Sequence, residues 1–287
     1  MLALLTASVA QADVTPAGIE QSESSTGISE TKMEPGFIET LGKTIGINYY
    51  GLVNGPSIGE TNQRTTNLYS SDQNGNATPM NLYNEFRLDI KTGKRFNVRL
   101  NNRFDIYPTT DSNRTGDDSG FVLRNFRYGI VGLLIDPNAG GFSMASSMVL
   151  ELPTSQGSQA AQMLVAPRIS LNPNVDLPGT RWSLGAFLTG ETFFYLANNP
   201  TNRDVFLYFG PYANYRLTDN LQATFQIDAS TNHRVSGLFA PDPTDIQLGV
   251  NWDVSKKFSF NPFVQIFPEN ISLRSMFLGA NISATFL

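Results

Sequence analysis

The chain has 287 residues, 40% of them hydrophobic and only 16% charged, and its net charge of −5 argues against nucleic acid as a partner. It has no cysteine, which excludes disulfides, thiol nucleophiles, cysteine-ligated metals and lipoprotein acylation. Beyond the N-terminus no apolar run is long enough for a transmembrane helix, so any membrane crossing must use strands.

Residues 1–12 join an apolar run to Ala10-Gln11-Ala12, a small-residue cleavage pattern. They read as a signal peptide, without its basic n-region, cut after Ala12. Residues 13–40 are polar and aperiodic and read as a flexible arm or, in a hollow fold, a plug. Strand signals then begin. Residues 43–53 place Ile45, Ile47 and Tyr49 on one face, and a polar loop follows over 54–79.

Residues 82–106 carry the clearest pattern. Leu82, Phe86, Leu88 and Ile90 alternate with Glu85, Arg87, Asp89 and Lys91. After Thr92-Gly93-Lys94, residues Phe96, Val98, Leu100, Phe104 and Ile106 alternate with Asn97, Arg99, Asn101, Arg103 and Asp105. A period of two held over both segments predicts an antiparallel hairpin with one dry and one wet face. The polar stretch 108–120 leads to a fourth strand over 121–136, with Phe126, Tyr128, Ile130 and Leu134 opposite Arg127.

The fifth strand sets Phe142, Met144, Met148, Leu150 and Leu152 against Ser143, Ser147 and Glu151. The sixth sets Val165, Pro167, Ile169 and Leu171 against Gln162, Arg168 and Ser170. Pro167 counts against that strand, because proline cannot donate to a ladder. Residues 172–179 read as a turn, and 181–196 as the seventh strand. The eighth runs through Val205 to Arg216 and also carries Pro211. Leu221 to Asp228 form the ninth, Asp245 to Val254 the tenth and Phe258 to Ile266 the eleventh. The last alternates Leu278, Ala280, Ile282, Ala284 and Phe286 with Gly279, Asn281, Ser283 and Thr285.

About twelve strands result. Tight turns follow strands 2, 4, 8 and 10, and longer polar connections follow strands 1, 3, 5, 7 and 9. The connection after strand 6 looks too long for this alternation, and Pro268-Glu269-Asn270 after strand 11 too short. An up-and-down barrel predicts such alternation. Phe96, Phe142, Trp182, Tyr215, Trp252, Phe258 and Phe286 fall near one end on the apolar face, as an interfacial aromatic girdle would. The fold class predicted is all-β: a closed antiparallel transmembrane barrel over residues 41–287. The competing fold is a secreted β-sandwich, with strands nearer 5–6 residues.

With these strands and a final strand closing on an aromatic, residues 43–287 resemble the outer-membrane β-barrel proteins of Gram-negative bacteria, porin-like ones included. The resemblance implies an outer-membrane location, contact with membrane lipid and recognition of the C-terminal strand by the barrel-assembly machinery. The chain departs from the family's ending in that Leu287 follows Phe286.

With polar faces inward, the pore-lining set is Glu85, Arg87, Asp89, Arg99, Arg103, Asp105, Arg127, Glu151, Arg168, Arg216 and Asp228, joined by Arg181, Glu191, Asp245 and Asp253. This predicts a narrow charged channel for small polar solutes, with arginines and carboxylates on different walls and an anion-attracting surface at Arg87, Arg99, Arg103 and Arg127. The alternatives are a closed barrel that binds partners through its outer loops, 54–79 and 231–243, or an enzyme resembling outer-membrane phospholipase A. In that family a serine follows the histidine by two residues; here Val235 stands there after His233, so no catalytic residues are assigned. Residues 111–118 carry oxygen ligands without the spacing of a calcium loop. No cofactor is expected, and the sequence does not fix an oligomeric state.

Overall fold

The computed structural model describes residues 44–57, 81–93, 95–107, 120–138, 140–197, 199–271, 273 and 276–286. The expectations for residues 1–40, for most of the 54–79 loop, for the 111–118 loop and for Leu287 lie outside these residues.

Twelve strands form the wall: β1 (Ile45–Ser57), β2 (Asn81–Lys91), β3 (Phe96–Ile106), β4 (Phe126–Ile135), β5 (Phe142–Leu152), β6 (Met163–Asp176), β7 (Trp182–Thr192), β8 (Arg203–Thr218), β9 (Leu221–Arg234), β10 (Asp245–Ser255), β11 (Phe258–Ile266) and β12 (Met276–Thr285). Each pairs antiparallel with its neighbours in sequence, and β1 pairs with β12, so the sheet closes as an up-and-down barrel without an edge. Closure continues past β12, where the Phe286 amide donates to the Ile47 carbonyl at 2.8 Å.

One end of the barrel carries the longer connections and is the outer end below; β1 begins and β12 ends at the inner end. Three short strand segments, Phe121–Leu123, Phe194–Tyr195 and Phe239–Pro241, extend the wall at the outer end. The fourth predicted strand is therefore broken at Arg124-Asn125, and the seventh ends at Thr192 before the short segment 194–195. Part of the 231–243 loop is a hairpin, with Asn232 opposite Ala240.

Two other expectations are corrected. Residues 172–176 belong to β6, paired with β5 from Asn172 to Val175, so the inner turn after β6 is only 177–181. There Gly179, at a φ of +74°, occupies the left-handed region that glycine tolerates best. The connection after β11 runs over 267–275, through a short 3-10 turn at Pro268–Asn270, and is thus a long outer connection. Both corrections restore the alternation of short and long connections.

Pro167 sits inside β6. It pairs with Leu150 on one side, while the ladder to β7 resumes at Arg168–Glu191. Pro173, Pro211 and Pro262 likewise pair with one neighbour and leave a ladder gap on the other. A missing N–H thus costs one ladder bond while the other side holds the register.

Outward faces are apolar and exposed, as at Phe86, Ile130, Met148, Ile169, Phe209 and Leu278. The girdle residues sit on this face at the inner ends of their strands, and the Trp182 and Tyr215 rings pack at 4.9 Å. Apolar-out and charged-in is the inverse of a soluble core, and it fits a lipid surround. One outward polar side chain is covered by its neighbour: the Tyr49 hydroxyl lies over Gly51 and donates to Asn84 Oδ1 at 2.8 Å.

Candidate functional site

The strand period carries alternate side chains into the barrel. Glu85, Arg87, Asp89, Arg103, Asp105, Arg127, Glu151, Arg168, Glu191, Asp228 and Asp245 all lie on the inward face and are buried. Arg99 and Asp253 face inward and are half-buried, and Arg216 is exposed at the inner end of β8. Arg181 stands outside the lumen, exposed in the inner turn and donating to the Leu217 carbonyl.

The inward charges are not divided between an arginine wall and a carboxylate wall. Arg87 donates to Glu85 at 2.8 Å, two residues along its own strand. Arg99 makes a bidentate pair with Asp89 across β2–β3, at 2.6 and 2.8 Å. Arg103 and Arg127 share Glu151, at 2.8 and 2.6 Å, and Asn125 donates to the same carboxylate. Arg124 donates to Asp105 at 2.6 Å. Arg168 stands 3.9 Å from Glu191. This corrects the expected arginine surface: Arg87, Arg99, Arg103, Arg124 and Arg127 each hydrogen-bond a carboxylate on the same wall, while Arg168 stands beside Glu191 with its Nη1 and Nη2 buried without acceptors among the described residues. A buried charge is tolerated only with such a partner, which is why acids and arginines come from neighbouring strands.

The exception is the wall at β9–β10. Asp228 and Asp245 are directly opposite in register and both are buried. Their hydrogen bonds come from neutral groups: Tyr208 and Gln226 donate to Asp228, and Gln247 donates to Asp228 at 2.6 Å and to Asp245 at 3.5 Å.

Aromatic inward residues were absent from the predicted set. One buried cluster joins Met163, Ala166, Phe187, Phe193, Phe206 and Tyr208 on the β6–β8 side. A second joins Tyr50, Leu52 and Phe263, with Tyr83 packed on it. In a ring of twelve strands these two clusters face each other across the lumen. Guanidinium groups lie on the rings, Arg87 over Tyr50, Arg124 over Tyr83 and Arg203 over Phe193 and Phe206, at 4.5–5.3 Å. A sequence signal existed for one of them: Phe263 faces inward opposite Gly279, whose missing side chain gives the ring its place.

The lumen thus has two storeys. Apart from Asp89 and Val131, the buried inward side chains lie in the outer half or at the middle of the barrel. The inner half is lined by small polar residues that keep partial exposure: Asn48, Asn97, Ser143, Asn172, Asn174, Ser183, Asn214, Thr224, Asn251, Ser259 and Ser283. At the outer mouth a helical turn, Gln156–Ala160, is tied to the wall, with Ser158 Oγ and the Ser155 amide donating to Asn125 Oδ1. His233 Nδ1 lies 2.6 Å from Asp204 and its ring packs on Phe239. Val235, where phospholipase A would need its serine, leads into the exposed turn beyond β9.

A closed twelve-stranded barrel with an apolar outside and an ionic inside defines the class: this is the fold of outer-membrane, porin-like β-barrels. No family model matches the sequence, and no curated protein matches it. Among solved structures it is similar to an outer membrane channel from Pseudomonas putida F1, with a TM-score of 0.52 and 11% identity over 85% of this chain and 95% of that one. The NanC porin gives a TM-score of 0.48 at 6% identity, and the KdgM porin 0.44 at 9%, each over 84% of this chain and 99% of its own. The likeness to the Pseudomonas channel is one of fold.

Proposed function

We propose that the protein is an outer-membrane channel for passive passage of small polar solutes, entered from the water-accessible inner half and limited by the ion-paired outer half. The observation that carries this reading is the inner storey: a ring of hydroxyl and amide side chains with partial exposure, inside a wall that is apolar outside. A solid structural barrel has no use for such a surface, whereas a wet passage needs hydrogen-bonding groups along its length. The pore-lining residues are Glu85, Arg87, Asp89, Arg99, Arg103, Asp105, Arg127, Glu151, Arg168 and Asp228, with Arg216 at the inner mouth. The C-terminal strand is proposed as the segment that engages the assembly machinery.

The second reading is a closed barrel that acts through its outer loops. It is favoured by one observation, the burial of both ions and rings throughout the outer half. Single-channel conductance of the refolded protein in a planar bilayer separates the two, measured with and without residues 13–40. Conductance steps in both forms support the channel and make the arm a leader. Steps in the truncated form alone make the arm a plug. Silence in both removes the channel reading and leaves the closed barrel.

A further inference from the structure

One inward ion pair differs from its neighbours. Arg87–Glu85, Arg99–Asp89, Arg103–Glu151, Arg124–Asp105 and Arg127–Glu151 close at 2.6–2.8 Å. Arg168 and Glu191, directly opposite in the β6–β7 ladder, stand 3.9 Å apart, beyond hydrogen-bond length. Both side chains are buried, and Glu191 Oε1 has no hydrogen-bond donor among the described residues. Arg127 shares Glu151 with Arg103, and Arg203 lies on the Phe193 and Phe206 rings and donates to Asn232. A buried carboxylate oxygen without a donor keeps its desolvation cost until one arrives.

A polar track leads to the pair from the inner storey. Asn174 and Asn172 line it half-buried on β6, and Ser170 follows, its hydroxyl 2.9 Å from Thr189 Oγ1 on β7. Arg168 and Glu191 are the next inward residues on the two strands. Apolar groups border the pair. Phe206 stands opposite Glu191 in the β7–β8 ladder, and it belongs to one buried cluster with Ala166 and Phe187. One rung of the wall thus offers a cation, an anion with an unused oxygen, and an apolar surface beside both.

We propose that the Arg168–Glu191 pair is a subsite for zwitterions, and that the channel's solutes include α-amino acids with apolar side chains. This names the solute class of the channel reading above and rests on it. An α-amino acid carries its carboxylate and ammonium on one carbon. The carboxylate accepts from the N–H groups of Arg168, and the ammonium donates to Glu191 Oε1. The apolar side chain lies against Phe206 and Phe187. A zwitterion adds no net charge to the buried rung. A simple anion meets the repulsion of Glu191, and a simple cation that of Arg168.

The test uses the full chain in a planar bilayer, carrying a steady KCl current at pH 7. L-leucine is added, and in separate runs its two singly charged counterparts: 4-methylpentanoate, which lacks the ammonium, and 3-methylbutylamine, which lacks the carboxylate. Leucine should interrupt the current for times about tenfold longer than either counterpart, the worth of one charge-assisted hydrogen bond. Glu191→Gln removes the charge that meets the ammonium and should shorten the leucine interruptions to those of 4-methylpentanoate. Glu191→Asp keeps the charge but withdraws the oxygen, and should shorten them as well. The comparison on the native protein stands even where neither variant refolds by circular dichroism. Counterparts that interrupt as long as leucine, a current that leucine leaves undisturbed, or refolded variants with unchanged leucine interruptions would overturn the inference and leave the channel intact. A native protein that carries no KCl current removes the channel reading and this inference with it.

Discussion

Glu151 shows how single residues hold the lumen. It takes hydrogen bonds from Arg103, Arg127 and Asn125 at once, and all three elements it joins are different strands or the segment before one. Glu151→Gln would leave two buried guanidinium groups facing one neutral oxygen. Breaking a buried ion pair typically costs about 3–5 kcal/mol. The expected result is a clear drop in the urea midpoint of the vesicle-embedded barrel, followed by tryptophan fluorescence. A second residue test lies on the lipid face. Tyr49→Phe removes the hydroxyl that Asn84 accepts from, where no water can replace it, and should destabilise the barrel by about 1–2 kcal/mol in the same assay. That Glu151 faces inward was legible from alternation with Leu150 and Leu152. Arg127 stands directly opposite it in the β4–β5 ladder, but Arg103 was not legible as a partner, because it belongs to the next strand but one and only strand stagger brings the two side chains level.

At the scale of elements, the alternation of side chains gave all twelve strands their place, because a lipid-facing strand must be apolar at every second residue and the lumen lets the others be polar. Strand ends are where the sequence reading goes wrong, and its count against the sixth strand for Pro167 is not borne out. Pro167 would count against β6 only if both ladders had to be complete; it keeps a partner on one side, as do Pro173, Pro211 and Pro262. Asn172 and Asn174 looked like turn residues because asparagine is frequent in turns. They are lumen-facing strand residues, and the Tyr212 hydroxyl donates to both Oδ1 atoms. The final strand closes the wall against β1, and Phe286 follows it as an exposed ring at the inner girdle. Phe286→Ala removes that interfacial anchor from the strand on which closure depends. The expected outcome is slower refolding into vesicles, read by the rise in β-structure with time, with little change in the finished barrel's strand content.

The two storeys belong to the whole molecule and could not be read from any one strand. Phe187 and Phe206 share a cluster on the neighbouring strands β7 and β8, and Phe263 belongs to the cluster on the opposite wall; closure of the barrel sets the two clusters face to face. In the proposed channel the consequence for passage follows from resistances in series: the narrower storey sets the conductance, and widening the other changes little. Phe206 is buried in the outer storey, while Asn174 is half-buried in the inner one. Phe206→Ala should therefore raise single-channel conductance, and Asn174→Ala should leave it near the native value. Each variant removes a side chain from the inward face without touching a ladder bond, so both should retain the wall. Equal effects of the two substitutions would mean that resistance is spread evenly along the lumen, and an increase with Asn174→Ala alone would place the constriction in the inner half. If the proposed channel has its constriction in the outer half, as a rise in conductance with Phe206→Ala alone would establish, a solute from the outer side meets the ion-paired network before the inner storey.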